Sequence, residues 1–343
     1  MIIGDKMKKY LTELKDLIQE EYKFYLCMII LFIILIFPVN YYIVVGGGIS
    51  DISSRIQVEQ AYQSKGSFNI SYVTELDGTV ATYLLSYLIP KWERESVNDY
   101  KFTDNETLND IQFRNELDLK TANSTAIYWA YTLANKEIKE VKKDLYVIAR
   151  TKEISSSLKV GDIILSMDNN SFDSLEDYRN YINEKEIGDE ITVKIKRKGK
   201  EREVKATIQS LNDKKVIGVL LQYVKEYETS PTIKVKFKKD ESGPSGGLIS
   251  TLEIYNQLTK KDITHGLKIA GTGTIEEDGT IGNIGGITYK LLGAESSHAD
   301  YFLAPSGNNY KEALKYKKKK NLKIKIIEAK SIEAVLKKLE ELA

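Results

Sequence analysis

Ser245 and Lys290 are the two residues of this chain whose types and surroundings could support hydrolytic chemistry. Ser245 lies in Glu-Ser-Gly-Pro-Ser-Gly-Gly at 241–247, just before an apolar helical pattern. Lys290 lies in Gly-Gly-Ile-Thr-Tyr-Lys-Leu-Leu-Gly-Ala at 285–294. A serine hydroxyl is a weak nucleophile until a base removes its proton, and a neutral lysine is such a base. The pair therefore predicts a serine nucleophile with a lysine general base.

The residues around this pair suit the two roles. Pro244 pre-forms the start of a helix, and Gly246 lets a substrate carbonyl approach the backbone N–H groups at the helix N-terminus. We therefore expect an oxyanion to be held near Ser245 and Gly246. Lys290 has small or apolar neighbours at helical spacing, and burial favours the neutral form of a lysine. The neighbours in question are Gly286, Ile287, Gly293 and Ala294.

Composition excludes several other classes of function. The net charge of +1 gives no electrostatic reason to expect nucleic-acid binding. A single cysteine rules out an intrachain disulfide, and the two histidines lie in no metal-binding spacing, so we expect neither a metal nor another cofactor. The phosphate-binding loop of ATPases is absent from the sequence, so ATP should not be needed.

Residues 24–45 contain no charged side chain. A helix of this length is roughly 33 Å long, enough to cross a bilayer core of about 30 Å, and we expect an uncleaved transmembrane helix rather than a signal peptide. Five lysines precede the segment, whereas Arg55 and Lys65 are the basic residues in the twenty positions after it. This bias predicts a cytoplasmic tail at 1–23 and an extracytoplasmic chain beyond the helix.

A small domain is predicted at 144–211. Leu-Lys-Val-Gly-Asp-Ile-Ile-Leu at 158–165 places a turn before a strand, and Ser174 caps a helix that begins at Leu175. This block resembles a bacterial PDZ domain, a module that binds an extended peptide at a sheet edge. By resemblance, the groove would lie between the strand containing Tyr146, Val147 and Ile148 and the helix from Leu175. The preceding segment, 46–143, is expected to pack on this domain.

Residues 212–343 alternate between strand and helix patterns, which predicts an α/β domain. Its motifs resemble the Lon-type serine peptidase domain, which carries Gly-Pro-Ser-Ala-Gly at its serine and Gly-Gly before its lysine. The resemblance implies that Ser245 and Lys290 form a catalytic dyad and that Thr272, in Ala-Gly-Thr-Gly-Thr-Ile, supports it. The one departure is Gly246, where the family has alanine.

The order of apolar segment, PDZ-like block and Lon-type domain resembles the membrane-anchored, ATP-independent PDZ–Lon proteases of Gram-positive bacteria. The implied protein is an α/β multidomain serine endopeptidase of the cell membrane that cleaves secreted or membrane-proximal proteins and peptides. Lon-type domains often form rings, so the resemblance is compatible with a homo-oligomer, a trimer or a hexamer. The substrate and its cleavage site are not encoded in any motif.

Two alternatives compete with this interpretation. A Ser-His-Asp triad would need His265 or His298 to reach Ser245, although neither histidine lies in a catalytic motif. A membrane-tethered scaffold would use the PDZ-like block to bind peptides and would carry an inactive hydrolase domain. Replacement of Ser245 by alanine separates the scaffold from the enzyme, because a scaffold keeps its function without the hydroxyl.

Overall fold

The computed structural model of the protein describes residues 2–151, 154, 156–236 and 241–342. Within residues 2–20 it describes only the side chains of Met7, Tyr10 and Thr12, so the lysines at 6, 8, 9 and 15 that carry the orientation prediction lie outside the described side chains. The helices are α1 (Ile2–Ile36), α2 (Val80–Leu88), α3 (Leu108–Leu133), α4 (Leu175–Glu184), α5 (Gly247–Leu258), α6 (Ile287–Ser296), α7 (Asn308–Lys320) and α8 (Ile332–Glu340).

The strands form several sheets, and their bounds in chain order are as follows. They are β1 (Pro38–Val45), β2 (Ile49–Asp51), β3 (Ile56–Val58), β4 (Ser67–Ser71), β5 (Thr74–Thr79), β6 (Glu93–Ser96), β7 (Glu137–Arg150), β8 (Ile163–Met167), β9 (Glu190–Arg197), β10 (Lys200–Thr207), β11 (Gln209–Leu211), β12 (Lys214–Val216), β13 (Val219–Ser230), β14 (Ile233–Val235), β15 (Lys268–Gly271), β16 (Thr274–Ile275), β17 (Ile281–Gly282), β18 (Tyr301–Pro305) and β19 (Lys325–Ala329).

The chain divides into two compact units, the first formed by residues 1–45 and 74–99. Its sheet has the order β5-β1-β6, so β1 is the central strand and pairs antiparallel on both sides. Ile43 and Val44 of β1 are buried. Helix α2 begins at Val80, directly after β5 ends at Thr79.

The predicted helix over 24–45 is correct only as far as Ile36. Pro38 begins β1, and the β-branched and aromatic residues that follow are strand formers which pair with β5 and β6. Residues 38–45 are therefore a sheet strand and not part of a membrane helix. No helix in the described part of the chain is both long and apolar enough to cross a membrane.

The second unit, residues 46–73 and 100–343, contains a five-stranded sheet of order β19-β18-β15-β4-β2. The first four strands are parallel, and β2 is antiparallel to β4. Alternate residues of β15 face opposite sides: Ile269 packs in the core with α5 and α8, and Ala270 packs in the core with α6 and α7. The sheet thus has helices on both faces, as an α/β domain requires.

A second five-stranded sheet in this unit has the order β10-β9-β8-β7-β13 and is antiparallel throughout. Helix α4 covers one face of it, with Ile182 buried among Leu145, Val147 and Val193. Ser174 caps α4 as predicted, since its hydroxyl accepts a hydrogen bond from the Asp177 N–H at 3.0 Å.

Helix α3 packs against α5 of the α/β domain on one side and against β7 and β13 of the antiparallel sheet on the other. The chain turns after Leu133 and enters β7 at Glu137.

Two predicted domain boundaries differ from the structure. Residues 49–71 do not simply pack on the PDZ-like block; they supply β2 and β4 to the α/β sheet, where Asn69 pairs with Ala270. Strand β13, predicted to belong to the α/β domain, instead completes the antiparallel sheet beside β7. Both differences arise from pairing between segments far apart in sequence, and local patterns do not specify the partner of a strand.

Candidate active site

Ser245 lies in a tight turn at the N-terminus of α5. Its carbonyl accepts hydrogen bonds from the Gly273 N–H at 2.8 Å and from the Thr272 hydroxyl at 3.1 Å. These bonds fix the serine to the chain segment that leaves the carboxyl end of β15. Ser245 itself is half-buried.

Lys290 lies in the first turn of α6, which packs on the opposite face of the sheet from α5. The helix starts from Gly286 in a left-handed conformation with φ of 67°. Farther along α6, a Cβ on Gly293 would come within 3.0 Å of the Gly48 backbone, so a glycine here lets the helix pack closely on the chain at 47–48. Lys290 is buried, with 5% of its surface exposed.

The two predicted residues meet beyond the carboxyl end of β15. Lys290 Nζ lies 3.0 Å from Ser245 Oγ and 3.2 Å from Thr272 Oγ1. Thr272 is fully buried. The threonine hydroxyl therefore bridges the lysine and the serine carbonyl, and the three predicted residues form one hydrogen-bonded group. The 3.0 Å distance between Lys290 Nζ and Ser245 Oγ is suitable for direct proton transfer between the two groups.

The backbone around Ser245 and Gly246 can also receive a negative charge. Among the described residues, the N–H groups of Ser245 and Gly246 donate no hydrogen bond, whereas the Gly247 N–H is used internally and donates to the Pro244 carbonyl at 3.2 Å. N–H groups without partners at a helix N-terminus are the usual donors to an oxyanion.

Three residues that the sequence did not single out hold the site together. Arg55 forms an ion pair with Glu241, at the start of the segment that contains Ser245. The backbone carbonyl of Asn115 in α3 accepts a hydrogen bond from the Gly243 N–H at 3.0 Å. The side chain of Asn309 in α7 forms hydrogen bonds with the backbone of Ile284, just before α6, the helix that contains Lys290 (the lysine helix). No local motif marks these residues, because each acts on a segment distant in sequence.

Neither histidine takes the place of Lys290. His265 Nε2 lies 3.1 Å from the carbonyl oxygen of Leu339 in α8. His298 follows the C-terminal end of α6, whereas Lys290 is in its first turn. The geometry therefore favours the lysine over the Ser-His-Asp alternative.

The predicted peptide groove beside Tyr146, Val147 and Ile148 is wrong in its choice of strand. Strand β7 is hydrogen-bonded on both edges at Val147, to β13 and to the 161–162 turn, so no peptide can add there. Val147 is fully buried in the core that also contains Leu175, while Tyr146 and Ile148 pack towards α3. Within the described residues, β13 pairs with β7 alone, and no strand is paired to its other edge.

A cavity of about 300 Å³ adjoins β13 and does not include the serine–lysine pair. It lies between α3, β7, β13 and the β16–β17 turn. Its lining combines tyrosine side chains with the Lys225–Glu277 ion pair, in which the nitrogen–oxygen distance is 2.7 Å. The polar, aromatic lining is suited to a peptide rather than to a purely apolar ligand.

Comparison with known families identifies two domains. The model for the PDZ domain matches residues 137–208, and the model described as the Lon protease (S16) C-terminal proteolytic domain matches residues 236–341. The first match covers the antiparallel sheet up to β10, and the second covers the serine turn, the lysine helix and the segment between them. No curated protein sequence matches this chain.

Similar solved structures are PDZ domains. The PDZ domain of an SdrC-like protein from Listeria monocytogenes is 25% identical, covers 24% of this chain and 92% of its own, and has a TM-score of 0.23. The corresponding domain from Listeria innocua is 27% identical, covers 23% of this chain and 92% of its own, and has a TM-score of 0.22.

Proposed function

Since the chain has the domain make-up of a PDZ–Lon-type protease, we propose that it is a serine endopeptidase in which Ser245 is the nucleophile and Lys290 the general base. The observation that carries the proposal is the 3.0 Å distance between Lys290 Nζ and Ser245 Oγ in a Lon-type proteolytic domain. Thr272 supports the pair, because its hydroxyl contacts both the lysine nitrogen and the serine carbonyl.

The reaction follows from this arrangement. Ser245 Oγ attacks the carbonyl carbon of the scissile peptide bond while its proton passes to neutral Lys290. The N–H groups of Ser245 and Gly246 hold the oxyanion. Lys290 then gives the proton to the leaving amine, which produces an ester between Ser245 and the acyl part of the substrate. Water attacks this ester with Lys290 again as the base, and the serine is regenerated.

The PDZ domain would supply substrate at the unpaired edge of β13. An extended peptide adds to a free edge through main-chain hydrogen bonds. Val219, Leu221 and Tyr223 of β13 pack in the same core as Leu175 and Tyr178 of α4, so side chains of a bound peptide would meet α4 beside that edge. We expect the substrates to be exposed polypeptide segments or short peptides, because the sequence carries no ATP-binding loop.

We further propose that residues 24–36 attach the protein to the cell membrane and, from the lysines that precede this segment in the sequence, that the proteolytic domain is extracytoplasmic. The support is the exposure of the apolar side chains along this part of α1, where Phe24, Ile29 and Phe32 are 58%, 56% and 63% exposed. Apolar side chains that surround a helix on all sides are stable in lipid and unfavourable in water.

The test is peptide-bond cleavage by the full chain in detergent micelles, with an unfolded protein as substrate and without ATP. The full chain is needed because removal of residues before 49 would delete β1, the central strand of the first unit's sheet. The wild type is compared with Ser245→Ala and Lys290→Ala, and circular dichroism checks that both variants are folded. Mass spectrometry of the products maps the cleaved bonds.

Loss of cleavage in both folded variants is the expected result. Activity that survives Lys290→Ala would overturn the lysine-base mechanism. Wild-type protein that binds peptides at β13 and cleaves none of the unfolded proteins offered would favour the membrane-tethered PDZ scaffold.

A further inference from the structure

Helix α2 has a polar residue inside and leucines outside. Its single buried residue is Ser86, whose hydroxyl donates to the Tyr83 carbonyl at 2.6 Å and accepts from Arg94 Nη1 at 3.0 Å. Leu84, Leu85 and Leu88 are 53%, 42% and 77% exposed. A surface helix of a water-soluble domain has the reverse arrangement, with leucines against the core and polar residues in solvent. The outer face of α2 is therefore suited to an apolar surrounding.

The exposure of these leucines does not reflect a poorly formed helix. Thr79 caps the N-terminus: its hydroxyl accepts a hydrogen bond from the Thr82 N–H at 3.2 Å, and the Thr82 hydroxyl accepts one from the Thr79 N–H at 2.8 Å. At the other end the Ile89 N–H donates to the Leu85 carbonyl at 2.9 Å. Both ends of α2 are closed by hydrogen bonds, so the helix is well formed and its leucines face outward in an ordered structure.

Helix α2 begins beside the end of α1, whose apolar side chains are also exposed. The Val80 N–H at the start of α2 donates to the Phe37 carbonyl at 3.0 Å, directly after the end of α1. Phe37 is 63% exposed, and Ile33 and Ile36 before it are 54% and 52% exposed. Both helices thus expose apolar side chains within the first unit, and the helices meet where α1 ends and α2 begins.

Aromatic and basic residues lie beside the leucine face of α2. The Arg94 guanidinium carbon lies 3.8 Å from the centre of the Tyr87 ring, and Tyr87 is 62% exposed. Lys91 and Trp92 lie in the loop that follows α2. Tyrosine and tryptophan, together with long cationic side chains, concentrate where acyl chains meet lipid headgroups.

We propose that the face formed by Leu84, Leu85 and Leu88 lies in the acyl-chain boundary of a lipid bilayer, with Tyr87 and Arg94 at headgroup level. The inference rests on the membrane attachment proposed above and extends it to a second element. Lipid fits better than a second copy of the chain because the exposed apolar side chains of α1, which ends beside α2, surround that helix, whereas a protein partner would cover one side. The basic border also matches an anionic headgroup layer.

The test measures lipid contact at single positions of the full chain in vesicles of phosphatidylcholine and phosphatidylglycerol. Leu85→Cys, in a Cys27→Ser background, carries an environment-sensitive fluorophore. Labels on the native Cys27 of α1 and on Asn98→Cys, an exposed polar position of the same unit, are the matched controls. We expect blue-shifted emission and several-fold quenching by spin-labelled lipid at positions 85 and 27, and neither change at position 98.

The three labels distinguish failure of this inference from failure of the attachment. Quenching at 27 without quenching at 85 would overturn the role of α2 and leave the attachment by α1 intact. The absence of quenching at both positions would overturn both. Blue-shifted emission at 85 without quenching by spin-labelled lipid would show that protein covers the leucines, and would also overturn the proposal. Cleavage activity measured on each labelled protein shows that the fold is retained.

Discussion

Asn309 holds Ile284 by a pair of hydrogen bonds. Its Oδ1 accepts from the Ile284 N–H at 2.8 Å and its Nδ2 donates to the Ile284 carbonyl at 3.0 Å. Asn309 is buried in the first turn of α7, and Ile284 lies two residues before Gly286, from which the lysine helix starts. The Asn309 side-chain amide thus pairs with the N–H and carbonyl of Ile284 as a neighbouring strand would, in the loop that positions Lys290.

Asn309→Ala should therefore misplace Lys290. We expect kcat to fall about tenfold with KM little changed, and the free energy of unfolding to fall by about 1–3 kcal/mol because two buried backbone groups lose their partner. Steady-state kinetics and urea unfolding measure the two effects. Asn308→Ala, at the exposed neighbouring position, is the control and should match the wild type. Unchanged kcat in Asn309→Ala would show that the loop does not depend on this contact.

The hydroxyl group of Thr272 should affect kcat more than the shape of its side chain does. Thr272→Val keeps the side-chain volume and removes the contacts with Lys290 Nζ and the Ser245 carbonyl, so we expect kcat to fall by about 10- to 100-fold. Thr272→Ser restores the hydroxyl and should recover most of the rate. Equal activity of the valine and serine variants would exclude a role for the hydroxyl in the dyad.

Two glycines near the site should respond differently to alanine. At Gly246 an added Cβ would lie 2.8 Å from the terminal methyl of Ile70, which can move, so Gly246→Ala should change stability by less than about 1 kcal/mol and retain activity. At Gly286 the φ of 67° is left-handed, so Gly286→Ala should cost about 1–2 kcal/mol and lower kcat through the lysine helix. Thermal unfolding with parallel assays compares the pair, and the reverse ranking would contradict this account.

Glu253 of α5 should make stability depend on pH. Burial raises its pKa from 4.5 to about 7, with further raising by Asp51 and Asp262 and an opposing effect of the Gln257 hydrogen bond. Between pH 4.5 and about pH 7, the Glu253 carboxyl is protonated in the folded state and ionised in the unfolded state. The free energy of unfolding therefore falls as the pH rises through this range, by about 3 kcal/mol in all.

Glu253→Gln keeps a neutral side chain at every pH and should remove this dependence. We expect the variant to be more stable than the wild type at pH 8, by about 1–3 kcal/mol, and to differ little at pH 4.5. Urea unfolding at both pH values measures the difference. Glu333→Gln, at an exposed position of α8, serves as the control. A variant that is less stable at pH 8 would show that the charged carboxylate is stabilised in the fold.

Peptide binding should protect the unpaired edge of β13 from hydrogen exchange. We expect slower exchange in β13 when a peptide that binds the PDZ domain is added, because its main chain would pair with that edge. The other edge strand of the sheet, β10, provides the internal control and should not change. Protection confined to β10 would place the peptide site at the opposite edge of the sheet.

Much of the site could be predicted from local sequence. Ser245, Thr272 and Lys290 lie in segments whose glycines and apolar neighbours already limit their conformation, and the structure brings the three within hydrogen-bond distance of one another. The supporting contacts of Arg55 and Asn309 could not be predicted, because each joins the site to a segment remote in sequence and follows no local pattern.

The sequence by itself determined the type of most elements and the residues of the candidate site, since helix caps, strand formers and the glycine-bounded serine and lysine segments act within a few residues. Only the tertiary structure decided which sheet receives each strand. Residues 67–71 pair with β15 some 200 positions later, and β13 returns to β7. It also decided that the leucines of α2 face outward. A strand or an apolar helix has the same local pattern whichever partner it meets, so these choices depend on packing between distant segments.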